Sequence, residues 1–93
     1  MDKIVYSKIA FEDLQKIKYE KSMEDVIQGI VLLNKIVDFI EDLVDKKDHE
    51  NFNEEFYYIK IDDYFVFYII EDKKFKIVRI LSENLDYIEE IFN

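Results

Sequence analysis

From residue 56 to residue 81 the apolar residues fall into three short runs divided by charged turns. Phe56 to Ile61, Tyr64 to Ile70 and Phe75 to Leu81 are rich in β-branched and aromatic side chains. The dividers are Asp62-Asp63 and Glu71-Asp72-Lys73-Lys74. This pattern predicts three antiparallel strands in a meander. In Tyr64 to Ile70 both alternating sets are apolar: Tyr64, Val66, Tyr68 and Ile70 on one face, Phe65, Phe67 and Ile69 on the other. A strand covered on both faces is central, which places this run between its neighbours.

Upstream, Ile4-Val5-Tyr6 within Lys3 to Ile9 predicts a short strand. Phe11, Leu14 and Ile17 at spacings of three predict a first helix over Ala10 to Glu20. Ser22, followed by Glu24 and Asp25, reads as the N-cap of a second helix running from Met23 to Asp45 or Lys46. That helix carries two apolar stripes. One is Met23, Val26, Ile30, Leu33, Val37, Ile40 and Val44; the other is Leu32, Ile36, Phe39 and Leu43. A helix on a single layer needs one stripe. The first stripe is expected on the sheet, and the second on the first helix or on another chain, a homodimer included. Leu32, Ile36, Phe39 and Leu43 are therefore candidate partner-binding residues. Asp45 to Glu55 reads as an acidic loop, and Leu85, Ile88, Ile91 and Phe92 predict a short C-terminal helix. The expected architecture is one α+β domain over residues 1–93. A short N-terminal strand and a helical hairpin pack on a three- to four-stranded antiparallel sheet, with the short helix at the end.

Composition narrows the function classes. There is no cysteine, no proline and one glycine, Gly29, in 93 residues. Disulfides, thiolate metal sites and glycine-rich phosphate loops are thereby excluded. The longest apolar run outside the helices is seven residues, too short to span a membrane, and the N-terminus lacks a signal-peptide pattern. These features predict a soluble cytoplasmic protein. The net charge of −9 is unevenly placed: residues 23–55 hold three lysines against ten acids, and residues 83–93 hold four acids and no base. Such a surface repels phosphate and attracts basic proteins, so a protein partner is expected and direct nucleic-acid binding is not. Asp38, Glu41, Asp42 and Asp45 share a helix surface and read as a solvated face. The single histidine, His49, sits in the acidic loop without a nucleophilic or basic neighbour in sequence and reads as a surface residue. No catalytic set, metal site or cofactor is expected.

Three segments carry a resemblance to the RelE/ParE superfamily of small bacterial toxins. Ala10-Phe11-Glu12-Asp13-Leu14 is similar to the start of the family's first helix. Lys60-Ile61-Asp62-Asp63-Tyr64-Phe65-Val66-Phe67-Tyr68 matches the spacing of its central strand pair, and Arg79-Ile80-Leu81-Ser82-Glu83-Asn84-Leu85-Asp86-Tyr87 keeps the frame of its last strand. The resemblance implies a toxin of a toxin–antitoxin pair with a cognate antitoxin as partner, and a candidate functional surface of Lys60, Tyr64, Arg79, Asp86 and Tyr87. It also implies either ribosome-dependent mRNA cleavage or protein contact with DNA gyrase. The family's basic residues are replaced by Phe65, Ser82, Asn84 and Leu85, and Arg79 is the only arginine. Too little positive charge remains to stabilise a scissile phosphate, so no ribonuclease is expected and action by protein contact is. The alternative is a small acidic inhibitor that imitates nucleic acid, phage-encoded for example, and occupies a basic protein surface.

Overall fold

A computed structural model describes residues 3–83 and residue 88. The chain forms strand β1 (Ile4–Tyr6), helix α1 (Lys8–Glu24), helix α2 (Val26–Glu41), a 3-10 turn (Asp42–Asp45), and strands β2 (Glu50–Asn51), β3 (Tyr57–Ile61), β4 (Tyr64–Glu71) and β5 (Lys74–Ser82). The helical hairpin lies on one face of a sheet of five strands, in the order β1-β5-β4-β3-β2. β4 is central and antiparallel to β3 and β5, as its two-sided apolar pattern requires. The sheet is mixed, not purely antiparallel, because β1 pairs parallel to β5. It also gains an outer strand, β2, inside the segment expected to be a loop. The expected C-terminal helix lies outside the described residues except for Ile88.

The helix boundaries differ from expectation at the hairpin. Ser22 is not a cap; α1 continues through it to Glu24, and the chain reverses at the single residue Asp25. Asp25 leaves helical geometry, and its Oδ1 accepts from the Ile27 and Gln28 amides at 2.9 and 3.4 Å. Two otherwise unsatisfied donors at the start of α2 are met in this way. Ser7 performs the same service for α1, accepting from the Ala10 amide at 2.9 Å.

The main core lies between hairpin and sheet. Ala10, Leu14 and Ile17 of α1 and Leu32, Ile36 and Ile40 of α2 meet Ile61, Val66, Tyr68, Phe75, Ile77 and Ile80 of the sheet. Burying each large side chain contributes about 1.5–3 kcal/mol. The α2 stripes do not divide as expected: Leu32, Ile36 and Leu43 of the second stripe are buried in the core, while the first stripe is split, with Ile40 buried, Leu33, Val37 and Val44 packed against the core, and Met23, Val26 and Ile30 exposed. Three of the four candidate partner-binding residues are thus core, and only Phe39 remains on the surface. Both stripes are apolar, so periodicity gave no means of choosing between them. Phe11, expected inside, is also exposed, and Ala10 takes the buried position. On the opposite face of the sheet Phe67, Leu81 and Ile88 form a second cluster, flanked by Phe52, Tyr58 and Phe65.

β5 carries a register shift: Phe67 faces Arg79 while Tyr68 faces Ile77, which leaves Val78 without a partner on β4. Such a bulge alters which side chains share a face. Accordingly Ile77 and Ile80 both join the helical core, and Leu81 joins the opposite cluster.

Candidate functional site

β1 pairs with β5 only at Phe75 to Ile77. Beyond that point the β5 edge is satisfied by α1 and its cap. Ser7 Oγ donates to the Val78 carbonyl at 2.9 Å, and Asp13 Oδ2 accepts from the Ile80 amide at 3.0 Å. The same carboxylate binds Arg79 through both oxygens, from Nε at 2.8 Å and from a terminal guanidinium nitrogen at 3.0 Å. This two-pronged pair is largely shielded, with side chains 24% and 13% exposed. It joins helix to bulge and occupies the only arginine of the chain.

The candidate surface is divided by the fold. Tyr64 and Arg79 line one cavity of about 230 Å3 together with Asp13, Lys16, Glu20 and Ser82. Burial, first of all, raises the Tyr64 phenol above its ordinary pKa; Lys21 opposes this, and Glu20, Asp63 and Glu24 add to it. A phenol held in its neutral form is a poor base. Lys60 instead opens on a separate cavity of about 440 Å3 beside Phe39, Lys46 and Phe65, and its ammonium pairs with Glu83 at 2.9 Å. Lys35 and Lys76 are likewise paired, with Asp62 and Glu71. Asp86 and Tyr87 lie outside the described residues.

His49 is not a loose surface residue. Its Nδ1 shares a 2.7 Å hydrogen bond with the hydroxyl of the fully buried Tyr68, and its ring packs near Tyr57, Tyr68 and Phe75. It anchors the start of β2 to the core. Isolated in sequence, it gave no sign of these aromatic partners. Among the described residues no group of three or more His, Cys, Asp or Glu side chains is placed to hold a metal ion, and no helix is long and apolar enough to cross a membrane.

Sequence reasoning also missed a surface. Tyr19 and Met23 near the end of α1, and Val26, Ile27, Ile30 and Val31 at the start of α2, are all 45–72% exposed. Together they gather around the Asp25 turn, at the closed end of the hairpin. Its signal was present in the apolar pairs Val26-Ile27 and Ile30-Val31, which together are too broad for one buried stripe.

A model of the family described as the ParE toxin of the type II toxin–antitoxin system parDE matches residues 4–87. No curated protein sequence matches. Among solved structures, a chain of the chromosomal ParDE toxin–antitoxin system from P. aeruginosa superposes with a TM-score of 0.75 at 13% identity. The match covers 88% of this chain and 96% of that one. At that identity the structural likeness speaks for the fold, and the family match extends it to sequence. Asp13 and Arg79, two of the positions where the sequence resembles RelE/ParE members, are the two ends of the contact that locks α1 to β5. The chain belongs to the ParE toxin family of type II toxin–antitoxin systems.

Proposed function

We propose that this chain is the toxin of a toxin–antitoxin pair, acts in the cytoplasm by protein contact and not by cleaving RNA, and is restrained by an antitoxin. The observation that carries this reading is the Asp13–Arg79 pair. The one guanidinium is engaged by a carboxylate on both prongs, so it offers a scissile phosphate little uncompensated positive charge. The pairing of Lys60 with Glu83 and the neutral Tyr64 phenol support it.

Protein contact is supported by the apolar band at the hairpin end. Exposed apolar side chains around the Asp25 turn suit a partner surface with an apolar centre, and their rim carries both signs, with Glu24 paired to Lys21 at 3.1 Å. DNA gyrase is the target that the resemblance implies, and its recognition would use this kind of surface, not a catalytic constellation.

The test is induced expression with a growth curve, alone and with the neighbouring gene. Growth arrest relieved by that gene supports the toxin reading; unimpeded growth with the folded protein present opposes it. Codon-specific mRNA cleavage by the purified protein on programmed ribosomes, lost in Tyr64→Phe, would overturn action by protein contact.

A further inference from the structure

The six exposed apolar side chains around the Asp25 turn belong to neither core cluster, and they fall into three pairs at i, i+4 spacing: Tyr19 with Met23, Val26 with Ile30, and Ile27 with Val31. Residues so spaced stand one above the other on a helix, so each pair is a short ridge. The two ridges of α2 run side by side with a groove between them, the surface that a second helix packs into. Ile88, the one described residue beyond position 83, is buried with Phe67 and Leu81 on the face of the sheet opposite the hairpin.

Charge decides what suits this surface. Residues 16–31 hold three lysines against three acids, so the turn end is neutral in a chain of net charge −9. Residues 38–55, at and beyond the far end of α2, hold eight acids against two lysines. A basic partner is drawn to that acidic end and gains nothing from a neutral one. Two copies of this chain have the opposite requirement, since they repel wherever acid is concentrated and meet best where it is balanced. α2 is 16 residues long, roughly 24 Å, or about three Debye lengths at physiological ionic strength. Contact through the two turn ends therefore leaves the acidic ends screened from one another.

A two-fold interface sets a surface against itself, so its rim must match itself. Here Lys16 stands 4.0 Å from Glu20 and Lys21 stands 3.1 Å from Glu24, so both signs are present on the exposed rim. The area is also sufficient. With exposures of 45–72%, the six side chains offer on the order of 700 Å2 per copy, close to the roughly 800 Å2 that each partner gives a stable interface.

We propose that a second copy of this chain covers the turn end of the hairpin, forming a two-fold dimer in which the Val26–Ile30 and Ile27–Val31 ridges of each copy pack on those of the other. The dimer does not rest on the toxin reading. It bears on that reading, because protein contact would use the same surface, and a second copy and a target then exclude one another there.

The test is sedimentation equilibrium of the full chain between about 1 and 200 μM, since interfaces of this size associate at micromolar concentration or below. The expected result is a rise with concentration towards twice the monomer mass. The dimer should be tighter in about 500 mM than in about 50 mM salt, because salt screens the net repulsion. Ile27→Asp/Val31→Asp should weaken it at least about tenfold, and so should Tyr19→Lys/Met23→Lys, although the lysines lower the net charge. Ile9→Asp/Phe39→Asp, which adds the same charge as the first variant at exposed apolar sites away from the turn, should leave it intact. Circular dichroism checks that each variant is folded. A monomer throughout the range, which is also the result if the chain's own terminal residues cover the surface, would overturn the proposal. A dimer that survives both turn variants, or that dissociates as salt rises, would overturn it too. Growth arrest by a chain that stays monomeric would leave the toxin reading standing without the dimer, and a dimer without growth arrest would do the reverse.

Discussion

Replacing Gly29 by alanine sets two effects of opposite sign against each other. Gly29 is the only glycine, it lies inside a helix, and nothing about its φ demands glycine. In an unobstructed helix the change to alanine would stabilise by roughly 1 kcal/mol. Here the position is the crossing point of α1 and α2. A methyl group on Gly29 would stand 1.9 Å from Ser22 Oγ, 3.0 Å from Ser22 Cβ and 2.9 Å from the Lys18 carbonyl oxygen. The Ser22 hydroxyl can rotate away, but the Lys18 carbonyl belongs to the backbone of α1 and yields only if the helices separate. Overpacking of this kind costs about 1–3 kcal/mol, and the partly separated hairpin would also loosen Leu14 and Ile17 against Leu32.

The expected net effect is therefore a loss of about 0–2 kcal/mol, despite the gain in helix propensity. Urea unfolding followed by circular dichroism measures it, and each kcal/mol lost lowers Tm by about 4–8 °C for a domain of this size. Ser22→Ala in the same background separates the causes: it removes the hydroxyl clash and leaves the carbonyl contact. Partial recovery assigns that share to the hydroxyl, and no recovery assigns the cost to helix approach. If Gly29→Ala alone raised stability by the full propensity gain, the close crossing would be refuted.

Three further outcomes follow from the same geometry. Asp13→Ala should destabilise more than Arg79→Ala, since it also strands the Ile80 amide, and a double-mutant cycle should give a coupling of about 1–3 kcal/mol; additive losses would show that the pair does not couple helix to bulge. The β4–β5 turn places Asp72 and Lys73 at φ 53° and 64°, the conformation that Asn-Gly favours, so Asp72→Asn/Lys73→Gly should stabilise by about 1 kcal/mol in chemical denaturation. Burial, with smaller help from Tyr57 and Glu50, pushes the Tyr68 hydroxyl up to about 12 from 10. Its proton is held more tightly in the folded state, so its stabilisation is intact below pH 10 and is lost as pH rises from 10 to 12. Tyr68→Phe should flatten that alkaline slope in unfolding free energy, and an unchanged slope would exclude Tyr68 as its source.

The three-strand meander was legible because its information is local. Period-two alternation, aromatic content and two charged turns lie within one contiguous stretch, and the doubly apolar β4 could only be central. What escaped was information held between distant segments. The parallel pairing of β1 with β5 joins residues more than seventy positions apart, and three apolar residues cannot declare an edge partner. β2 owes its place to His49 meeting Tyr68 and to two backbone pairings, none of which gives Glu50-Asn51 a strand-like composition. The division of the α2 stripes was missed because both are apolar; the geometry of the packed neighbours, not the helix's periodicity, selects which positions of each are buried. The bulge at Val78 was hidden for the same reason, since simple alternation would have put Arg79 in line with Ile77 and Leu81.

The candidate site divides along the same line between local and distant information. Lys60, Tyr64 and Arg79 were read as one surface because they match one family's spacing, yet the fold places Lys60 on a different cavity from the other two. The Asp13–Arg79 contact explains how family likeness and altered chemistry coexist. A carboxylate that satisfies both a guanidinium and the Ile80 amide is required by the bulged edge of β5, whatever the protein does. Phe65 and Ser82, by contrast, stand at positions where an arginine and a histidine are usual among RelE/ParE members, and Phe65 packs against the Phe67, Leu81 and Ile88 cluster. An arginine at position 65 would have to carry its charge out of that apolar surface; phenylalanine instead adds to it. The contact that holds the scaffold is present in this chain while positions 65 and 82 carry no positive charge, and this moves the search for function from the sheet face to the turn end of the hairpin.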